Sequence, residues 1–287
     1  MKWFFTIYRG KYPHCIGLVT AILILSLPGP LYAVDGLSSG KLCMPWARTM
    51  SPGSVEFEPA VSLTTFDEVD LDGESVSLDG RWQVTTIDFR FTTGLIERLE
   101  MGVGFGIESA NFYHDENPDL DESETSLADL GLGWKYQVWG KEEEAALAVE
   151  WGIGLPWVSQ ASYAVWEAGV IYSMPIGERW SVDADATGYF TSATSPGDPE
   201  VGATYNAGIA VDLTDKWTVA TELNGFWERA DDEEDTASWK ITPTVGFAYG
   251  LNETVGVCVL AQQDVAGLGQ NTELATVAQM LFGFAFE

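Results

Sequence analysis

The stretch Ala145-Ala146-Leu147-Ala148-Val149-Glu150-Trp151-Gly152-Ile153-Gly154-Leu155-Pro156-Trp157 decides how this chain folds. Its odd positions are all apolar, and the even positions between them carry Glu150 and two glycines. Successive side chains of a strand point to opposite faces, so alternation of this length describes a strand with one apolar and one polar face. The pattern continues upstream. Leu99, Met101, Val103, Phe105 and Ile107 alternate with Glu100, Gly102, Gly104 and Gly106, and Leu130, Leu132, Trp134, Tyr136 and Val138 alternate with Asp129, Gly131, Gly133, Lys135 and Gln137.

Extended outward, this reading gives segments at 53–65, 81–93, 99–112, 126–139, 144–157, 162–175, 179–191, 202–213, 216–228, 238–250, 254–264 and 274–287. About twelve strands result, within a range of roughly 10–14. In 81–93, Trp82 and Val84 share a parity with Asp88 and Arg90, which predicts a bulge or a miscounted strand there. Connections alternate between short (94–98, 140–143, 176–178, 214–215, 251–253) and long and polar (66–80, 113–125, 192–201, 229–237, 265–273). Short turns at one end and long loops at the other predict an all-β fold, an up-and-down antiparallel transmembrane β-barrel.

Alternation alone also fits a soluble barrel with its apolar face inward. The aromatics decide between the two. Trp180 and Phe190 share a face ten residues apart, as do Trp217 with Trp227 and Trp239 with Tyr249. Ten strand residues rise about 33 Å, which a tilt of about 40° reduces to roughly 25 Å along the normal, the height of a barrel's apolar band. With Trp151 and Trp157 they form the expected aromatic girdles. A soluble barrel would have to bury all these rings.

The ends of the chain agree with export to an outer membrane. Lys2, Arg9 and Lys11 precede the apolar run 16–27, then Pro28-Gly29-Pro30 and Ala33, which predicts a signal peptide over 1–33. Residues 34–52 then form a periplasmic N-terminal segment and 53–287 the barrel. No later segment reaches the 18 consecutive apolar residues of a membrane helix. At the other end Ala278, Met280, Phe282, Phe284 and Phe286 line one face, followed by Glu287. This resembles the C-terminal signal by which outer-membrane proteins engage the barrel-assembly machinery. Cys43 and Cys258 are the cysteines beyond the signal, and pairing between them is left open.

The full chain carries a net charge of −29, from 14 Lys and Arg against 43 Asp and Glu. Nucleic acid is excluded as a partner, since phosphate binding needs clustered cations. The partners expected instead are outer-membrane lipid, lipopolysaccharide and a small-molecule solute.

Two sets of residues resemble a known family. They are the segment Ala47-Arg48-Thr49-Met50-Ser51-Pro52-Gly53-Ser54-Val55-Glu56-Phe57-Glu58-Pro59 and the turn Gly94-Leu95-Ile96-Glu97-Arg98-Leu99-Glu100, with related turns at Gly177-Glu178-Arg179-Trp180 and Asp215-Lys216-Trp217. The chain resembles the outer-membrane transporters associated with the MetA pathway of phenol degradation. The resemblance implies an outer-membrane channel for small, hydrophobic or aromatic compounds, with no catalytic motif to carry over.

Parity places Glu56, Glu58, Glu100, Glu108, Asp129, Glu150, Glu167, Asp183, Asp185, Asp212 and Glu222 in the lumen, with Arg90, Lys135 and Lys240 as the chief inward cations. A passage lined by one sign of charge concentrates counter-ions, so an open lumen would disfavour anions. The alternative is a structural or adhesive barrel plugged by these same groups, because twelve strands lie between filled and open barrels.

No cofactor is expected. Glu68, Asp70, Asp72, Gly73 and Asp79 fall at positions 1, 3, 5, 6 and 12 of an EF-hand-like calcium loop, but positions 1 and 12 carry the wrong acids and no helices flank them. A solvated acidic loop, bridged to lipopolysaccharide by divalent ions, is the simpler reading. An enzyme is not expected. A lipid hydrolase would need His114 to meet a serine such as Ser109 or Ser126, and no surrounding motif supports this.

Overall fold

The computed structural model describes residues 46–71, 74–114, 121–127, 130–141, 144–155, 164–191, 199–230, 237–252, 254–268, 272–273 and 275–286. The strands are β1 (Val55–Leu71), β2 (Glu74–Ile96), β3 (Leu99–His114), β4 (Glu122–Leu127), β5 (Leu130–Trp139), β6 (Ala146–Leu155), β7 (Val165–Ile176) and β8 (Trp180–Thr191). They continue as β9 (Pro199–Asp212), β10 (Trp217–Ala230), β11 (Ala237–Gly250), β12 (Val255–Gln263), β13 (Ala266–Leu268), β14 (Thr272–Glu273) and β15 (Thr276–Phe286).

β4 and β5 both pair with β3, β12 and β13 with β11, and β14 and β15 with β1, so each of these couples makes one stave. Twelve antiparallel staves result, and the sheet closes through β10 against β11. The first and last staves join along Val55↔Phe286 to Thr65↔Thr276. Closure leaves no unpaired edge, which is what a strand in hydrocarbon requires.

The faces follow the sequence parity. Trp151, Trp166, Trp180, Phe190, Trp217 and Trp227 are exposed on the outer wall together with Val170, Leu223, Val245, Phe247 and Met280. Glu58, Glu100, Lys135, Glu150, Asp183, Asp185 and Glu222 are buried on the inner wall. This inverts a soluble protein, in which the apolar face is the buried one.

Two expectations are corrected. The ladder between β1 and β2 runs regularly from Val55↔Thr93 to Phe66↔Trp82 and shifts register just beyond it, between Phe66 and Glu68, so the irregularity lies at the end of 81–93 and not at Val84. Trp82 and Val84 share a parity with Asp88 and Arg90 because all four face inward, the aromatic among them lying toward the long-loop end. The acidic stretch 66–80, expected as a loop, is strand as far as Leu71 and again from Glu74, closed by the pair Leu71↔Glu74. Cross-strand hydrogen bonds outweigh the weak β-propensity of its acids.

Candidate functional site

The inner wall is lined in three layers. At the short-turn end the chain before β1 crosses the mouth. Gly53 N–H donates to Gly94 O at 2.8 Å, Met50 N–H to Glu100 Oε2 at 2.9 Å, and Ala47 N–H to Ser173 Oγ at 3.0 Å. Gly94 lies on β2 and Ser173 on β7, so this strap spans the mouth from one side of the barrel toward the other. Ala47 is fully buried against Ala146, Ala148 and Ile171. Gly94 permits the approach, because a Cβ there would meet Ser51 O and lie 2.8 Å from Met50 O.

Above the strap is a charged layer. Lys135 Nζ sits 2.8 Å from Glu100 Oε1 with both side chains wholly buried. Register continues this row from Glu100 through Lys135 to Glu150, then over Gly169 to Thr187. The Thr187 hydroxyl donates to Glu150 Oε1 at 2.6 Å. On the next strands Asp183, Gly208 and Glu222 share one row, and Asp185, Asn206 and Asn224 the adjacent one. Asn206 Nδ2 donates to Asp185 Oδ1 at 2.8 Å, and Asn224 Nδ2 to Thr244 Oγ1 at 2.7 Å.

Toward the long-loop end the inner wall turns apolar. Phe66, Trp82, Phe112 and Ala275 form a buried cluster flanked by Leu78 and Ala110. Trp82 stands 4.9 Å from Phe112 and 6.5 Å from Phe66 between ring centroids, making an aromatic ledge across β1, β2 and β3.

Every lumen residue expected from the sequence and described in the structure lies on the inner wall. Glu56, Glu108, Glu167 and Asp212 are half-buried there, as are Arg90 and Lys240. Arg90 Nε is 3.9 Å from Glu58, and Lys240 Nζ is 3.1 Å from Asp264. Asp129 and Trp157 lie outside the described residues. Trp239 and Tyr249 face outward, paired with Trp227 and Trp217.

Parity did not single out Asp264, Glu228 or the ledge. Asp264 lies in the two-residue break between β12 and β13, and Tyr189 donates to Glu228 Oε2 at 2.7 Å on the lumen face.

Of the calcium-loop positions, Glu68 and Asp70 pair along the β1–β2 ladder with Ser77 and Ser75, Asp79 lies in β2 at the register shift, and Asp72 is outside the described residues. His114 packs edge-on against Phe112 at 4.6 Å. Ser109, five strand residues away, is roughly 17 Å off and on the opposite face. Ser126 pairs with Glu108, farther still, so the Ser–His contact of a hydrolase is not formed by these residues. Cys258 is a buried lumen-facing thiol, and Cys43 lies outside the described residues.

A closed twelve-stave antiparallel barrel, apolar outside and polar within, is the outer-membrane β-barrel fold. Among solved structures, an outer-membrane channel from Pseudomonas putida F1 superposes with a TM-score of 0.72 at 14% identity, covering 87% of this chain and 100% of that one. The translocator domain of the autotransporter NalP from Neisseria meningitidis gives 0.56 at 10% identity over 95% of this chain and 96% of its own. The transport unit of the autotransporter AIDA-I from Escherichia coli gives 0.54 at 10% identity, covering 92% and 97%. At these identities the likeness is one of fold. No protein-family profile matches the chain, and no curated protein does.

Proposed function

We propose that this protein is a channel for small solutes across the outer membrane of a Gram-negative bacterium, exported by its first 33 residues. The observation that carries this is the polar, charged inner wall inside an apolar outer one. A barrel that served only as an anchor could fill its centre with apolar side chains. The superposition on an outer-membrane channel supports the same reading.

The inner carboxylates outnumber Arg90, Lys135 and Lys240, which favours neutral or cationic solutes over anions. The ledge of Phe66, Trp82 and Phe112 favours solutes with a flat apolar ring, in line with the resemblance to transporters of aromatic compounds. Outer-membrane lipid and lipopolysaccharide are the partners of the outer wall. The barrel-assembly machinery is the partner of β15, whose Phe282 and Phe286 are exposed.

A second reading, a plugged structural barrel, has one observation in its favour: Ala47, Glu100 and Lys135 are all fully buried at the narrow mouth. Single-channel conductance of the purified protein in a planar bilayer separates the two. A reproducible current with a cation-selective reversal potential is expected. A folded barrel that stays silent even after removal of residues 34–52 would leave the plugged barrel.

A further inference from the structure

Four lumen carboxylates line about 13 Å of the β8 wall, Glu150 at the level of Thr187, Asp185 in the middle, and Asp183 with Glu222 at the other end, and two missing side chains keep the space between them open. Gly169 on β7 and Gly208 on β9 flank β8 on either side. Across Gly169 the Glu150 carboxylate reaches from β6 to the Thr187 hydroxyl at 2.6 Å, and a Cβ at 169 would lie 2.8 Å from Glu150 Oε1. Across Gly208, Asp183 and Glu222 face each other along one row with no side chain between them. Asp183 and Asp185 are two residues apart on one face of β8, and Glu222 lies two staves away in the row of Asp183.

Glu150 and Asp185 are only 2% and 5% exposed, and among the described residues no group donates a hydrogen bond to their Oε2 and Oδ2 atoms. Buried acceptors without donors are costly, the more so when charged. The ligand that relieves this brings both positive charge and several N–H groups.

A metal ion does not fit, because the described residues contain no group of three or more acids, histidines or cysteines able to hold one. A primary ammonium does fit, since it carries three donors on one compact charge.

We infer that the β8 cradle of Glu150, Asp183, Asp185 and Glu222 binds the primary ammonium group of a small organic cation passing through the lumen. Passage of the cation rests on the channel reading; its binding does not. The site lies directly behind the strap, because Ser173, which accepts from Ala47, pairs with Asp183. A solute held here waits at the last closed point before the short-turn mouth.

The test compares methylammonium with tetramethylammonium, which has the same charge and no N–H donor. Bi-ionic reversal potentials give their permeability ratio in the parent protein and in Asp185→Asn/Glu222→Gln, with Glu150→Gln as a second variant. Heat-modifiable gel migration checks that each barrel has folded. Methylammonium is expected to be favoured, and the preference to fall about tenfold in the double variant, the effect of losing one charge-assisted hydrogen bond. A conducting barrel whose ratio is the same in parent and variants overturns the site and leaves the channel standing. If the parent is silent even after removal of residues 34–52, the channel reading fails instead. Saturation-transfer NMR from the detergent-solubilised barrel to methylammonium then decides: transfer that the double variant abolishes supports the site, and absence of transfer in the parent overturns it.

Discussion

The Lys135 ammonium lies 2.8 Å from the Glu100 carboxylate, with neither side chain exposed at all. Glu150 stands next to Lys135 in the same row, so one cation serves the space between two carboxylates. Removing one partner of a buried pair leaves the other charged and uncompensated. Lys135→Met is therefore expected to destabilise the barrel by about 3–5 kcal/mol. Adding Glu100→Leu should recover most of that stability, since well-packed apolar pairs replace buried ion pairs at little cost. Urea unfolding in lipid vesicles measures both, and a Lys135→Met barrel as stable as the parent would show that the pair contributes nothing.

Gly94 holds the strap from outside it. Its N–H donates to Ser54 O at 3.1 Å, its carbonyl accepts from Gly53, and the Met50 and Ser51 carbonyls occupy the place of a side chain. Gly94→Val therefore pushes the strap away from Glu100 while leaving every lumen carboxylate in place. The Met50 amide then no longer reaches the Glu100 carboxylate. A hydrogen bond to a charged group is worth roughly 1.5–3 kcal/mol, so the open fraction should rise about tenfold or more. Single-channel open probability reads this directly. An unchanged value would mean that the strap does not set the closed state.

Much of this was legible from parity alone. The alternation at 145–157 placed Glu150 inward and Trp151 outward, and the same rule oriented Glu100, Lys135, Asp183 and Glu222 correctly, because within the lipid band apolar means outside. Beyond the band the rule lapses. Trp82 and Val84 face inward with Asp88, since strand that projects past the membrane has water on its outer face and buries its apolar groups within. Residues 47–59 stood out as a segment, but the strap's path across the mouth could not be read, because it has no period. Nor could Gly169 and Gly208 be told from other strand glycines, because what crosses them comes from strands two staves apart.

Asp264 ties the outer end of three staves together. It accepts from the Thr242 hydroxyl and from Ala275 N–H at 3.0 Å, and Lys240 Nζ stands 3.1 Å away. Asp264→Ala leaves a buried hydroxyl and amide without their acceptor, costing about 1–3 kcal/mol. The effect is local, so the expected sign is new protease cleavage between 264 and 276, with β12 and the rest of the barrel protected. Limited proteolysis with mass mapping checks it, and a cleavage pattern identical to the parent's would overturn it.

Trp82 joins two roles that one variant series can separate. It is 6% exposed between Phe66 and Phe112, so Trp82→Ala opens a cavity and should cost about 3–5 kcal/mol. Trp82→Phe keeps an aromatic face and most of the packing, and Trp82→Leu keeps apolar bulk without a ring. If the ledge engages flat apolar solutes, toluene uptake into proteoliposomes should survive Trp82→Phe and fall in Trp82→Leu, although Leu fills most of the gap left in Ala. A ledge that serves only as a small core would give the opposite ordering: uptake would follow thermal stability across the three variants, with Leu and Phe alike and Ala alone impaired. The ring-dependent pattern is the one expected, because stacked rings present a face that an aliphatic side chain of similar size does not.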